Sequence, residues 1–451
     1  MTGDKTRQFL EEYAVQAEKC SLIPQEQYNK YNVKLGLRNA DGSGVLVGLT
    51  TIGEVHGYII DEGEAIPVEG RLSYRGYDLA DLVTGFQKEK RPGFEETVYL
   101  LLFGKLPDTK ELEVFRNILG ENVELPASFM EDNILKAPSK NIMNKIARTV
   151  LVLYSFDDDA EDRSIKNVLL QCIGLIAKFP TLIAYAYQAQ QHYFFNKSLV
   201  IHTPNPKLSV AENFLSLIRD NGKYTKLEAE LLDLCLVLHA EHGGGNNSAF
   251  SLHVVSSADT DTYSAISTAV GSLKGTKHGG ANIKVMEMME DIKQNVSDWS
   301  SDDQIMDYLI KIIEKKAHDK TGLIYGMGHA VYTLSDPRAV LLKGKAKQLA
   351  KEKGSEDLYN LYAAIERLSP LAFEKVKKSS KNLCANVDFY SGFVYSMLGL
   401  DIQLYTPLFA MARIAGWSAH RLEEIINGKR IIRPAYKQVI QRKQYVSMSD
   451  R

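Results

Sequence analysis

The 451-residue chain has little of what marks several common classes of protein. It contains four cysteines, Cys20, Cys172, Cys235 and Cys384, and no two of them are spaced as C-x-x-C. Neither a cysteine zinc site nor a redox motif is therefore indicated. Scattered thiols fit a reducing compartment, so we expect a cytoplasmic protein. The net charge is −2, from 54 basic and 56 acidic residues, which does not favour a nucleic-acid partner.

Targeting signals and long apolar runs are also scarce. The first twenty residues have no basic segment followed by an apolar core, and they include Asp4 and Glu11, which are atypical of a transit peptide. The longest apolar stretch, Val168–Ala177, is interrupted by Gln171 and is followed by Pro180. Because this stretch is too short to cross a bilayer, we expect no membrane partner.

Helix signals dominate the remaining pattern. Asp108-Thr-Lys-Glu111 is a capping box, and both Asp336-Pro337 and Thr406-Pro407 place an N-cap residue before a first-turn proline. These signals predict helices that end near residues 120, 354 and 428. Strand patterns occur only at Val45–Ile52 and Tyr58–Ile66. We therefore predict a mostly α protein with a minor β element near the N-terminus.

Glycines gather beside histidines at three places. Residues 243–245 follow His242, residues 279–280 follow His278, and residues 326–328 include two glycines just before His329. Helical patterns flank each of these segments. This arrangement is typical of a site built on loops between rigid helices.

His239 and His242 have two possible interpretations. If the helix ending near Leu238 continued, the two imidazoles would share one face and could bind a metal. However, the spacing H-E-x-x-H is absent and no third ligand is evident. We therefore favour at least one core histidine with a satisfied hydrogen bond, and we expect no metal.

His278 and Asp388 are candidates for acid–base chemistry. His278 precedes a predicted helix that Asn282 would cap, and the helix dipole there disfavours a protonated ring. A neutral imidazole can donate a hydrogen bond to a developing enolate oxygen, although an ordinary turn histidine would give the same pattern. Asp388 precedes an apolar helix, where it is either an N-cap or a general base.

Three arginines could bind carboxylates, because a guanidinium matches the geometry of a carboxylate. Arg338 lies at a predicted helix start, where a solvated side chain is the simpler interpretation. Arg413 lies in the apolar segment FAMARIAGW, where an arginine is usually paired or directed at a ligand. Arg433 follows that helix and could equally be a surface charge.

The ordered set of these motifs is a more specific signal of a protein family than any single motif. LHAEHGGGNNS, GTKHGGAN, GMGHAVYTLSDPRA and NVDFYSG, followed by FAMARIAGW and Arg433-Pro434, resemble the citrate synthase family from about Leu231 to Pro434. GLTTIGEVHGYIIDEGE and RLSYRGYDLADL resemble the N-terminal part of that family. The resemblance implies a homodimer without a metal or redox cofactor. It also implies a large helical domain of residues 1–279 and 393–451, and a smaller mobile domain of residues 280–392 that closes over substrate.

The resemblance also implies catalytic roles for three residues. Asp388 would remove a methyl proton from acetyl-CoA while His278 hydrogen-bonds the thioester oxygen. His329 would polarise the carbonyl of oxaloacetate and donate a proton to it. Four side chains would hold oxaloacetate: His242, Arg338, Arg413 and, from the partner subunit, Arg433.

Further residues would support substrate binding. Asn246 and Ser248 would be polar groups near the histidines, and Lys381 matches a basic position that is used for CoA. Thr333 stands where many members of the family carry a basic residue that helps to hold a CoA phosphate.

The implied activity is that of a Si-type citrate synthase at the entry to the tricarboxylic acid cycle. A 2-methylcitrate synthase using propionyl-CoA would need the same residues, and one methylene is worth only about 1–3 kcal/mol of discrimination. Two alternatives of another kind remain open. One is a non-catalytic relative that binds carboxylates or CoA, and the other is a metal-dependent hydrolase.

Overall fold

A computed structural model describes residues 13–16, 18–39, 43–61, 64–378 and 383–451 of the chain. The protein is 60% helix and 5% strand. This confirms the predicted mostly α fold with a small β element near the N-terminus. Lys381 lies outside the described residues, so its role stays a prediction.

The helices in the described ranges follow one another through most of the chain. They are α1 (Gln25–Lys30), α2 (Leu79–Lys88), α3 (Phe94–Phe103), α4 (Thr109–Glu121), α5 (Ile142–Leu153), α6 (Ile165–Phe195), α7 (Val210–Ile218), α8 (Lys226–His239), α9 (Asn247–Ser256), α10 (Thr262–Leu273), α11 (Ala281–Asn295), α12 (Asp302–Ile313), α13 (Pro337–Glu352), α14 (Glu356–Lys377), α15 (Val387–Met397) and α16 (Tyr405–Asn427). The strands are β1 (Gly53–Asp61), β2 (Glu64–Tyr74) and β3 (Tyr77–Asp78), which form an antiparallel sheet in the order β1-β2-β3.

The packing of the backbone divides the chain into two units. Thr50–Ile432 forms the first, which contains the sheet and helices α2 to α16. Met1–Leu49 and Arg433–Arg451 form the second, in whose described part Lys437 Nζ lies 5.3 Å from the centre of the Tyr31 ring. The small domain predicted over residues 280–392 falls inside the first unit, and its boundaries stay a prediction.

One strand prediction is wrong, and the other is right in position but falls on two strands. Val45–Ile52 forms no ladder, and Leu46 and Leu49 are 83% and 90% exposed. The other predicted strand, residues 58–66, is divided between β1 and β2. An apolar run becomes a strand only where a partner strand and a buried face are available to it. The sequence alone did not reveal which segment had them.

Two of the predicted helix caps are confirmed. Asp108 forms the expected capping box with Glu111, and Asp336 caps α13, which ends at Glu352. The prediction for Thr406 is wrong, because α16 begins at Tyr405 without a side-chain cap. The Thr406 hydroxyl instead donates a hydrogen bond to the carbonyl of Gly279, at 3.1 Å.

Helix α6 is longer than the sequence suggested. It continues through Pro180 for 31 residues, and an 18-residue window within it has a mean hydropathy of 1.7. By length and composition alone it could cross a membrane. However, 78% of that window is buried inside the protein. Its apolar character is therefore explained by its place in the core.

Helix α16 is the helix against which the site is built. Every residue from Tyr405 to Leu422 is buried, and the helix packs against α3, α6, α8, α9 and α10. A helix that is buried on all sides needs a partner for each polar group it carries. Its buried polar side chains include Arg413, Ser418, His420 and Arg421, and two of these shape the regions described below.

Candidate active site

The loop after α8 separates the two histidines of the first motif. Helix α8 ends at His239, so His239 and His242 do not share a helical face. The His239 ring is buried, and its Nδ1 lies 2.8 Å from the carbonyl oxygen of Cys235. This confirms His239 as a core histidine with a satisfied hydrogen bond, while His242 belongs to the loop.

Helix α16 holds this loop in place through Gly416. The Gly416 N–H donates to the carbonyl of Ala240, at 3.1 Å. A Cβ atom at position 416 would lie 2.3 Å from Glu241 Oε2 and 2.5 Å from the oxygen of Ala240. No side chain fits there, so glycine at this position permits the close approach of helix and loop.

Three rings meet beside the loop. The ring centre of His242 lies 5.2 Å from that of His329 and 5.7 Å from that of Tyr332, and His329 stacks on Tyr332 at 4.6 Å. Burial and the nearby Arg338 lower the pKa of His329 to about 4. Burial, Arg338 and His329 also lower the pKa of His242 well below its usual value. Both imidazoles are therefore neutral near pH 7.

The backbone fixes the tautomer of His329. Its Nδ1 accepts hydrogen bonds from the N–H groups of Val331 and Tyr332, at 3.1 and 3.2 Å. A neutral ring whose Nδ1 is an acceptor must carry its proton on Nε2. His329 thus presents an N–H donor from its free nitrogen.

Arg338 is buried and is already engaged by a carboxylate. Its Nε and Nη2 donate to the two oxygens of Asp336, at 3.0 and 2.8 Å. Asp336 Oδ2 also accepts from the N–H of Val387, at 3.2 Å, which ties the start of α15 to the start of α13. Burial opposes ionisation of Asp336, but Arg338 outweighs it and keeps the pKa of this carboxyl below its usual value. The two N–H groups of Nη1 and the second N–H of Nη2 remain for a ligand.

Arg413 is buried with most of its donors unused. Its Nε donates to the carbonyl of His239, at 2.7 Å, and the guanidinium lies 4.7 Å from the centre of the Phe409 ring. In the described part of the chain neither Nη1 nor Nη2 has a hydrogen-bond partner, and neither does His242 Nε2. Burial lowers the pKa of Arg413 to about 10, so the group is still cationic at pH 7. Glu241 and Asp388 offset part of this charge, but a buried cation whose Nη donors lack partners still suits a bound anion.

His278 lies before α11 and is held by Ser248. Its Nε2 is 3.2 Å from Ser248 Oγ, which also accepts from Trp417 Nε1 at 3.1 Å and donates to Asn246 Oδ1 at 2.9 Å. Burial and the charge of Arg413 lower the pKa of His278 to about 4, as the neutral-ring hypothesis requires. The expected cap by Asn282 is wrong, since α11 starts after Gly280 and has no side-chain cap.

Asp388 lies in the first turn of α15 and does not cap it. The cap is Asn386, whose Oδ1 accepts from the Asp388 N–H at 3.0 Å. Among the described residues no hydrogen bond to the Asp388 carboxyl is formed. Burial raises its pKa to about 6, with Arg338 and Arg413 acting in the opposite direction. A carboxyl group of this kind can take up a proton near neutral pH.

The geometry thus brings most of the predicted residues into one region. His242, His329, Arg338 and Arg413 influence one another electrostatically, and Arg413 in turn acts on His278 and Asp388. Arg433 belongs to the second unit, where its side chain is exposed.

Sequence reasoning missed three side chains that shape the site: Asp336, Tyr332 and Trp417. Asp336 was interpreted only as a cap. The spacing Asp-Pro-Arg at a helix start could have suggested a bidentate pair with Arg338. Neither Tyr332 nor Trp417 gave a signal of its own, because their contacts are made across the fold.

The class of protein follows from these features. A mostly helical fold places neutral imidazoles, buried guanidinium groups and a carboxyl of raised pKa in one site. Such a site suits the removal of a proton from a carbon acid beside a bound anion.

Comparison with known proteins gives the family. A family model described as citrate synthase, C-terminal domain, matches residues 41–435. The citrate synthase of Haloferax volcanii is 36% identical over 370 residues, which are 81% of this chain and 88% of that protein. The 2-methylcitrate synthase 1 of Corynebacterium glutamicum is 32% identical over 418 residues, which are 91% of this chain and 97% of that protein.

Comparison with solved structures points to the same family. The citrate synthase of Thermoplasma acidophilum, in a ternary complex with carboxymethyl coenzyme A and oxaloacetate, matches with a TM-score of 0.74 and 25% identity. The match covers 93% of this chain and 99% of that one. The chain belongs to the citrate synthase family.

Proposed function

We propose that this protein is a citrate synthase, which condenses acetyl-CoA with oxaloacetate and hydrolyses the resulting citryl thioester to citrate and CoA. The observation that carries the proposal is the buried Arg413, with unused donors, next to neutral imidazoles and a carboxyl group whose pKa is about 6. Oxaloacetate is a dianion, and its binding would supply the missing partners.

Oxaloacetate binds first in this mechanism. One carboxylate accepts from Nη1 and Nη2 of Arg413, and the free Nη1 of Arg338 and Nε2 of His242 contact the other polar atoms of the substrate. Arg338 is held rigidly by Asp336, so little conformational freedom is lost when the substrate arrives.

Removal of the methyl proton of acetyl-CoA is the difficult step, because a thioester methyl is a very weak acid. Asp388 takes the proton, and His278 stabilises the oxygen on which charge develops. Ser248 contacts Nε2 of His278, which leaves Nδ1 to face the thioester. The Ser248 hydroxyl has a single hydrogen, which it donates to Asn246 Oδ1 in the substrate-free chain. In this mechanism that hydrogen turns to Nε2 of His278, so that the ring proton lies on Nδ1 and is available to the enolate oxygen.

Bond formation uses His329. The enolate carbon attacks the ketone carbon of oxaloacetate, and the carbonyl oxygen receives the proton from Nε2 of His329. The backbone bonds to Nδ1 keep that proton on Nε2 before reaction. Water then hydrolyses the thioester, which releases CoA. None of these steps needs a metal or redox cofactor.

The proposal also includes the assembly, location and stereochemistry of the enzyme. We propose a cytoplasmic homodimer in which the partner subunit's Arg433 completes the oxaloacetate site, and Lys381 as a contact for CoA. Residues 280–392 would close over oxaloacetate and so exclude water before acetyl-CoA reacts. Si-type stereochemistry and a place at the entry to the tricarboxylic acid cycle belong to the same proposal. The ternary complex of the Thermoplasma relative with carboxymethyl coenzyme A and oxaloacetate supports the pairing of a CoA derivative with oxaloacetate.

The second candidate function is 2-methylcitrate synthesis from propionyl-CoA. It is favoured by the relatives, whose names include both activities. The test is release of CoA thiol from acetyl-CoA and from propionyl-CoA, each with and without oxaloacetate. Faster oxaloacetate-dependent release from acetyl-CoA supports citrate synthase, and faster release from propionyl-CoA supports the alternative.

Two controls separate the remaining hypotheses. Activity that survives a strong chelator excludes the metal-dependent hydrolase. No release from either thioester by folded dimeric protein would contradict the enzyme and favour a non-catalytic binding protein.

A further inference from the structure

A second cluster of histidine and carboxylate side chains lies next to the loop that carries His242, and the proposed reaction does not use it. Its members are His253 on α9, the α16 residues His420, Glu423 and Glu424, and Glu241 of the loop. The His420 side chain is fully buried, and that of Glu423 is 10% exposed. Buried charged groups of this kind require an explanation.

The outer nitrogens of both rings are held by carboxylates. His253 Nδ1 lies 2.8 Å from Glu424 Oε2, and His420 Nε2 lies 3.0 Å from Glu241 Oε1. An ionised carboxylate can only accept, so each of these outer ring nitrogens carries a proton. The same carboxylate–histidine arrangement orients the histidine ligands of metal sites.

The inner nitrogens face each other. His253 Nε2 and His420 Nδ1 are 3.2 Å apart. In two neutral rings with outer N–H groups both inner nitrogens are lone-pair acceptors. Two acceptors this close need a cation or a proton between them.

Glu423 offers a third donor atom. Its Oε1 accepts from the N–H and the hydroxyl of Thr51, at 2.7 and 3.0 Å. Its Oε2 is buried, has no hydrogen-bond partner within the described ranges, and lies 3.8 Å from His420 Nδ1. The three donor atoms all lie within 4.8 Å of one another.

Gly244 leaves space beside the two inner nitrogens. A Cβ atom at this position would lie 3.6 Å from His253 Nε2 and 3.7 Å from His420 Nδ1. Any side chain there would occupy the volume next to both lone pairs. Glycine keeps that volume open for a fourth ligand such as water.

We propose that His253 Nε2, His420 Nδ1 and Glu423 Oε2 bind a divalent transition-metal cation of the zinc class. Bonds of about 2.0–2.1 Å in a tetrahedral site place ligand atoms about 3.3 Å apart, which agrees with the nitrogen–nitrogen distance of 3.2 Å. Glu423 Oε2 must move closer to both nitrogens, because it lies 3.8 Å from His420 Nδ1 and the three donor atoms span up to 4.8 Å. Imidazole and carboxylate donors suit zinc, and the ion joins α9 to α16.

Zinc alone is the probe in the decisive experiment. The tag-free full-length protein is stripped with a chelator, dialysed, and titrated with Zn²⁺ by calorimetry, with the bound metal measured afterwards. We expect about one Zn²⁺ per chain, and binding at least about tenfold weaker in His253→Gln and Glu423→Gln. A four-coordinate Co²⁺ derivative with strong visible absorption would report the tetrahedral geometry.

His192→Gln is the matched control, because His192 lies near the end of α6 and its Nδ1 contacts the backbone of Lys197 instead. This variant should bind zinc like the wild type. Glu423→Gln keeps the shape of the side chain, so it tests the site even if His253→Gln fails to fold. Zinc binding that is equal in Glu423→Gln and wild type, or no binding in wild type, would overturn the proposal and indicate a proton shared by the two imidazoles.

Discussion

The loop after α8 presents two neighbouring residues to two different clusters of buried histidines. His242 faces His329, and burial together with arginine lowers the pKa of both rings. Glu241 instead contacts His420. There burial works against the charge, but Glu241 and Glu423 outweigh it and raise the pKa of the metal-free ring to about 9.

The difference shows that burial alone does not determine the state of a histidine. Cations surround the first cluster, where His242 Nε2 and two Arg413 nitrogens lack partners in the described chain. Carboxylates surround the second, where both outer ring nitrogens are paired. Unused donors indicate a place for an anionic ligand, whereas paired carboxylates indicate structure or a cation.

Asp388→Ala should have the largest effect. Because it removes the proposed base and leaves the arginine and histidine sites in place, we expect oxaloacetate-dependent CoA release to fall by about 10²–10⁴-fold. The measurement is the steady-state rate of thiol release from acetyl-CoA. Oxaloacetate binding, measured by calorimetry, should persist. A variant with near wild-type activity would exclude Asp388 as the base.

The same substitution, histidine to glutamine, should have different effects in the two clusters: loss of stability in the second and loss of oxaloacetate binding in the first. In the metal-free protein, His420→Gln leaves the buried Glu241 carboxylate without its charged partner, so we expect the free energy of unfolding to fall by about 3–5 kcal/mol. His242→Gln should change it by less than about 1 kcal/mol but should weaken oxaloacetate binding.

Thermal unfolding and calorimetry on both variants make this comparison. Equal loss of stability in the two variants would contradict the distinction between a paired cluster and a ligand site.

Arg413→Leu should affect binding more than folding. The change removes two charge-assisted hydrogen bonds to oxaloacetate, each worth about 1.5–3 kcal/mol, so the KM for oxaloacetate should rise by at least about tenfold. Stability should change little, because a buried charge whose Nη donors lack partners in the described chain is removed as well.

Arg421→Lys is the control for Arg413. Arg421 is also buried on α16, and its Nη2 donates to the carbonyl of Thr260. The KM of the Arg421→Lys variant for oxaloacetate should stay within about twofold of the wild-type value. A similar rise in both variants would mean that Arg413 acts only through packing.

The pH dependence of Asp388 gives the smallest expected effect. Its pKa is raised in the folded chain to about 6 from an ordinary value of 3.8, so the folded state favours the protonated carboxyl. Ionisation of Asp388 therefore costs stability above pH 6, and this cost disappears as the pH falls below about 4. Asp388→Asn should be more stable than wild type at pH 7.5, by on the order of 1–3 kcal/mol.

Thermal unfolding of both proteins between pH 4 and 7.5 tests this directly. The difference should shrink towards the acidic end. In wild type, kcat/KM for acetyl-CoA should rise with pH through about 6, since the base must be ionised. A stability difference that does not vary with pH would contradict the raised pKa.

Much of the site could be predicted from the chain because its chemistry is local. Gly-rich loops beside His242, His278 and His329 indicated where the site lies. The capping patterns of Asp108 and Asp336 predicted where their helices begin. The predictions were wrong where the structure depends on contacts with segments far away in the chain. Val45–Ile52 found no partner strand, and Thr406 bonds Gly279 instead of capping its own helix.

The sequence by itself determined the helical class, the order of the motifs and the family, since these depend on residue types and their spacing. Only the tertiary structure decided which charges meet. It paired Arg338 with Asp336, left Arg413 Nη atoms unused, and put His253 beside His420. The physical reason is that pKa values and hydrogen-bond partners depend on burial and on groups far away in the chain, which no local pattern records.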